Sequence, residues 1–69
     1  MAKREKYRIF ISDDGTKISA MTEQRYLRML GFDMMLGFHD ASVVLASDAH
    51  EAARSYNEVQ GSSYVFEEA

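Results

Sequence analysis

An α+β domain is the fold class this sequence predicts: one small sheet of three to four strands with two helices packed on one face, in the order ββαβαβ. Three observations carry that reading. Residues 6–12 alternate as a strand does and run into Asp13-Asp14-Gly15-Thr16, a hairpin signal. Residues 48–61 hold both a helix start and a helix stop. Short apolar runs at 42–46 and 63–67 supply strands on either side of that helix.

The first strand sets Tyr7, Ile9 and Ile11 on one side and Arg8, Phe10 and Ser12 on the other. Asp14-Gly15 is a favoured two-residue turn, because both of its positions take positive φ. A turn there places Ile11 opposite Ile18, so register and hydrophobic pattern agree. The second strand then runs from about Thr16 to Ala20. Thr22 is the expected N-cap of a helix with Glu23 in its first turn, Tyr26, Leu27 and Leu30 on one face, and Arg25 and Arg28 on the other.

Two readings of residues 22–37 stand. In one, Gly31 ends the helix, Phe32 folds back on Leu27, and Asp33 caps a second turn that stops at Gly37. In the other, a single helix continues, since Leu27, Leu30, Gly31, Met34 and Phe38 share a stripe. The break is preferred, because one helix would leave Phe32, Met35 and Leu36 on the wrong faces. Residues 29–38, in which Met-Leu-Gly-Phe occurs twice around the lone charge of Asp33, form the most apolar stretch. They are expected as the central plug of the core, although methionines also re-pack around partners.

His39-Asp40-Ala41 reads as a link, and Ser42 to Ala46 as a central strand. Asp48 and Glu51 have capping-box spacing. Ala49, Ala52, Ala53, Tyr56 and Val59 recur at helical spacing, and Gly61 supplies the stop. The last strand, Ser63 to Glu67, alternates Tyr64 and Phe66 against Val65.

Sixty-nine residues are read as one domain, 1–69. A chain of that length buries only about 60% of the surface its unfolded form exposes. With no cysteine, disulfides and thiolate chemistry are excluded, which fits a reducing cytoplasm. No run has the length of a signal-peptide core or a membrane span, so a cytoplasmic protein without membrane association is expected. The 46% hydrophobic fraction argues for a folded chain.

His39-Asp40 and His50-Glu51, with Asp48 nearby, are the one hint of a metal or acid–base site. A zinc site takes three or four ligands, and two histidines eleven positions apart are the whole imidazole supply. No metal and no cofactor is therefore expected. Gly-x-Ser-x-Gly and phosphate-cradling glycine loops are missing from the sequence. The expected protein is not an enzyme, has no catalytic residues and takes no small-molecule substrate.

Charge is the functional signal. Lys3, Arg4, Lys6 and Arg8 stand against Glu5 at the N-terminus, while residues 32–69 hold seven acids against Arg54 alone. The whole chain carries −3. Carboxylates spaced along one face can imitate a phosphate row and capture a basic groove. Asp48, Glu51, Glu58, Glu67 and Glu68 are the candidates, with Tyr56 and Tyr64 as aromatic anchors. The alternative is a nucleic-acid contact through Lys3, Arg4, Lys6 and Arg8, with Tyr7 free to stack. Both clusters have a plainer reading as solvated surface, and basic residues on a strand also discourage edge pairing.

The strand–helix unit from Val43-Val44-Leu45-Ala46-Ser47-Asp48 to Arg54, closing at Ser63 to Phe66, sits in a tiny cysteine- and proline-free α+β domain with an acidic half. In these features the chain resembles, at the level of class, small inhibitors encoded by bacterial viruses, anti-CRISPR proteins above all. The resemblance covers about a third of the chain and carries over no site residue. It implies a phage or mobile-element protein that acts without catalysis, a DNA mimic that binds a CRISPR effector or similar nucleic-acid-binding complex and blocks its nucleic-acid surface. The expected partner is thus a protein; the alternative is a small nucleic-acid-binding regulator. Monomer and dimer both remain open.

Overall fold

The computed structural model describes residues 3–28 and 37–68. Within them the chain forms β1 (Glu5–Ser12), β2 (Lys17–Thr22), α1 (Glu23–Arg28), β3 (Phe38–Ala46), α2 (Ala49–Gln60) and β4 (Val65–Phe66). The expected α+β class and ββαβαβ order are both present. The four strands form one mixed sheet in the order β3-β1-β2-β4. β1 is antiparallel to β2 and to β3, and β4 runs parallel to β2. The helix α2 therefore carries the chain from one edge of the sheet to the other.

β1 and β2 keep the register read from the sequence, with Ile11 opposite Ile18 and Ile9 opposite Ala20. The connection between them differs from the two-residue turn expected at Asp14-Gly15. Four residues, 13–16, separate the strands, and the Gly15 N–H donates to the Ser12 carbonyl at 2.9 Å. Gly15 takes φ 75°, the left-handed conformation that a longer hairpin loop needs at that point. Side chains explain the choice. Asp14 Oδ1 accepts from Ser12 Oγ at 2.6 Å and from the Thr16 N–H and Oγ1 at 3.1 and 2.7 Å. Ser12 Oγ in turn accepts from the Thr16 and Lys17 N–H groups at 3.1 and 2.9 Å, so side-chain oxygens take the donors that a tighter turn would have paired.

Those bonds favour the ionised Asp14. Hydrogen bonds from Ser12 and Thr16 lower its pKa from 3.8 to about 2, with Lys17 adding a smaller effect of the same sign. A depressed folded-state value means that the carboxylate stabilises the fold above the unfolded value and ceases to as pH falls through the folded one. Asp14→Asn is therefore expected to be less stable than the parent near neutral pH. The gap should narrow between pH 3.8 and about 2, as read from urea midpoints at stepped pH. A gap that stays constant across that window would contradict the assignment.

β3 begins at Phe38, so His39, Asp40 and Ala41, expected as a link, are strand residues, and His39 and Asp40 pair with Ile11 and Phe10 of β1. The pairing shifts between Ile9 and Phe10: Ile9 faces Ser42 and Phe10 faces Asp40, leaving Ala41 as an extra residue. This bulge changes the face on which Asp40 stands. In an uninterrupted strand Asp40 and Ser42 would share a side; with the bulge, Asp40 joins Phe10 and Arg8.

The described core lies between α2 and the Tyr7–Ile9–Ile11 side of the sheet. Ile9, Ile11, Ile18, Ala20, Ala46, Ala52 and Ala53 are buried there, with Val44, Ala49, Tyr56, Tyr64 and Phe66 packed around them. Asp48 caps α2 by accepting the Glu51 N–H at 2.7 Å. Gly61, at φ 67°, ends it in the left-handed conformation, and the Ser62 N–H returns to the Asn57 carbonyl at 3.0 Å. Both ends match the sequence reading. Val59 does not: it falls at the margin of the alanine face in the last turn and is 78% exposed.

The two helices, expected on one face, divide between the two. Tyr26 of α1 lies 6.0 Å from Phe10, ring centre to ring centre, and the Arg8 guanidinium sits 4.3 Å above the Tyr26 ring. Phe10 and Arg8 alternate with the residues that meet α2, so α1 packs on the opposite side. Phe10, Ser19 and Met21 are buried there. Thr22 caps α1 as expected, accepting the Arg25 N–H at 3.1 Å. The choice between one helix and two, and the apolar plug up to residue 36, lie outside the described residues.

Candidate partner-binding surface

The acids singled out in the C-terminal half occupy two places. Asp48 and Glu51 stand at the start of α2, where each has a local role. Glu51 receives the Ser47 N–H at 3.0 Å and the Ser47 hydroxyl at 3.1 Å, a capping arrangement shifted one residue upstream of the usual box. Asp48 is exposed and Glu51 half-buried, so capping does not withdraw either from the surface. Two turns on, Glu58 is exposed. Glu67 and Glu68 follow β4 at the opposite edge of the sheet, and Glu67 meets Lys17 at 3.6 Å with both side chains half exposed. β1 and β2 lie between the two edges. At about 4.8 Å per strand the two edges stand about 14 Å apart, and Ala46 and Phe66 also lie at opposite ends of the β1-β2 hairpin, Ala46 beside Glu5 and Phe66 beside Ile18. They form two patches rather than one row.

The patch beside β3 is a groove lined by Arg4, Leu45, Glu51, Arg54, Ser55 and Glu58. On α2 these residues follow the i, i+3, i+4, i+7 rule, so one face of the helix forms the wall. Arg4, named in the sequence with the basic cluster, thus shares a surface with Glu51 and Glu58 from the acidic one. Arg54 was the missed residue. Its position three after Glu51 and four before Glu58 was the signal that it would divide those carboxylates.

Tyr56 and Tyr64 are not free anchors. Both are half-buried against the hydrophobic core, where each ring completes the seam between α2 and the sheet. Arg8 is likewise withdrawn from the basic cluster. It donates to Asp40 at 2.8 Å and to Glu23 at 3.3 Å while covering Tyr26. Desolvation opposes its charge, but the bond and charge of Asp40, helped by Tyr26 and Glu23, raise its pKa above the usual value. Lys3, Arg4 and Lys6 stay exposed.

Comparison with protein-family models, curated proteins and solved structures finds no match. The functional reading rests on the chain's own chemistry.

The two histidines have separate neighbours. His39 lies 3.2 Å from Asp13 at the hairpin end, and His50 stands edge-on to Phe66 at 5.3 Å between ring centres. Among the described residues no three His, Asp or Glu side chains converge at metal-binding spacing. No helix among them is long and apolar enough to cross a membrane.

Proposed function

We propose that this chain is a non-enzymatic protein-binding inhibitor, a phage or mobile-element product that acts in the host cytoplasm and occludes the basic nucleic-acid surface of a larger complex such as a CRISPR effector. The observation that supports it is the placement of charge. Glu51 and Glu58 line one side of α2 with Arg54 between them, and Glu67 and Glu68 follow β4, while Lys3 and Lys6 stand exposed at the N-terminus. A partner with two separate basic sites would meet both patches at once, and opposed potentials speed and orient such an encounter.

The test has two steps. The tagged chain is used to capture partners from bacterial lysate with and without nuclease, and the partner that survives nuclease is purified. Reversing Glu51, Glu58 and Glu67 to lysine is then expected to weaken that complex about a hundredfold or more. Because Glu51 also supports the start of α2, Glu58→Lys with Glu68→Lys serves as a second variant at exposed positions, folding being checked by circular dichroism. Affinity retained by both variants would refute the electrostatic reading.

The rival, a nucleic-acid-binding regulator, keeps Lys3, Arg4 and Lys6 but loses Arg8 to its carboxylate partners. It predicts captured proteins that vanish with nuclease, together with salt-sensitive binding of DNA or RNA that deletion of residues 2–6 removes.

A further inference from the structure

The sheet has two edges, and the chain treats them differently. β4 is two residues long, carries the Lys17–Glu67 ion pair beside it and runs into Glu68. Short strands and flanking charge are the usual means of blocking edge-to-edge pairing. β3, at the other edge, is nine residues long, and β1 is its one partner among the described residues. From Ala41 to Ser47, one residue past its end, the chain reads Ala-Ser-Val-Val-Leu-Ala-Ser, without a charge, a proline or a glycine. Val43 and Leu45 are 41% and 60% exposed, so alternate positions of this edge hold apolar side chains out to water.

We propose that β3 pairs antiparallel with β3 of a second copy, joining two four-stranded sheets into one of eight. A two-fold axis at Val44 sets Val44 opposite itself and Val43 of each copy opposite Leu45 of the other. It also places Ser42 opposite Ala46. Every cross-strand pair is then small or apolar, and all pairs keep like faces together, as a continuous sheet requires. Self-complementarity selects a second copy as the occupant: each residue meets the one equally far on the other side of Val44, and along this uncharged segment every such pair is small or apolar. The ladder ends where that condition fails, since beyond Ala41 and Ser47 Asp40 would come opposite Asp48 of the other copy. The bulge at Ala41 breaks the strand at the same point. The groove containing Glu51 and Glu58 borders this edge through Leu45, so pairing sets the grooves of the two copies beside one junction.

The inference is independent of the proposed inhibition, since a monomeric inhibitor or a dimer without inhibitory activity would separate the two. Sedimentation equilibrium of the full chain is expected to give twice the 7.9 kDa monomer mass at the upper end of a concentration series reaching roughly 1 mM. Leu45→Lys, at an exposed position, should raise the dissociation constant about tenfold or more while leaving the circular dichroism unchanged. The chain has no cysteine, so Val44→Cys supplies a single thiol per copy, and mild oxidation should link the copies through it. Adding Leu45→Lys should suppress that link. A monomer at every concentration, or a dimer that Leu45→Lys leaves intact and Val44→Cys does not link, would overturn the proposal.

Discussion

Replacing Ile9 with alanine is expected to cost about 2–5 kcal/mol, half or more of the stability that a chain of this length possesses. Ile9 is 0% exposed and stands where the sheet is fully paired, with Ala20 beside it on β2 and Ser42 on β3. From α2, Ala52 and Ala53 belong to the same buried cluster. Ala20, Ala52 and Ala53 in that cluster are too small to reach into the space an alanine would open, and Tyr7, Ile11 and Ile18 are held by their own places in the strands. Domains of about this size hold about 3–10 kcal/mol in all, so much of the population should be unfolded near 37 °C. Urea midpoints for Ile9→Ala, Ile9→Val and the exposed control Val59→Ala would test this. The expected ranking is a large loss, a loss of about 0.5–1.5 kcal/mol, and almost none. A cost below about 1 kcal/mol for Ile9→Ala would mean that the core is centred elsewhere.

The second large effect belongs to Asn57. Its amide serves as a surrogate strand for the segment after α2: Nδ2 donates to the Tyr64 carbonyl at 3.0 Å, and Oδ1 accepts the Tyr64 N–H at 3.1 Å. Oδ1 also accepts from Ser62 Oγ at 2.8 Å. Alanine there leaves half-buried backbone groups without partners, which costs about 1–3 kcal/mol for each group stranded. Partial access to water reduces that, so about 2 kcal/mol is expected in total. The damage should be local. Val65 and Glu67 donate to Thr16 and Ile18 at 3.0 and 2.8 Å, and their amides should exchange with solvent much faster in Asn57→Ala, while those of β1 change little. Uniform acceleration across the sheet would show that β4 and the rest of the fold open as one unit.

Features closed over a few residues were legible in the sequence. The Ile11–Ile18 register, both caps of α2 and the inward setting of Tyr64 and Phe66 depend on turn chemistry and alternation, which short windows carry. What failed depended on contacts far along the chain. His39-Asp40-Ala41 looked like a link because two polar residues interrupt an apolar run, but β1 supplies the ladder that makes them strand, and the bulge brings Asp40 onto Arg8. The second covered face was also readable in principle. Phe10 and Met21 lie between the core-facing positions of β1 and β2, and apolar residues on both sides of paired strands indicate a sheet covered twice. For the surface, the sequence showed which residues carry charge but not their placement. Glu67 and Glu68 follow α2 in the chain yet stand at the far edge, and Tyr56 and Tyr64 are required by the core.

β1 comes first in the chain and stands inside the sheet, which bears on how the molecule assembles. Its pairing with β2 closes through a four-residue loop and needs nothing further along the chain. Its pairing with β3 joins Glu5 to Ala46, and β4 is added after α2 has crossed the sheet. Loop-closure entropy orders these events: the hairpin is accessible early, while the search that brings β3 home is the slow step. During synthesis the hairpin's outer β1 edge stays open until the ribosome has released most of the chain.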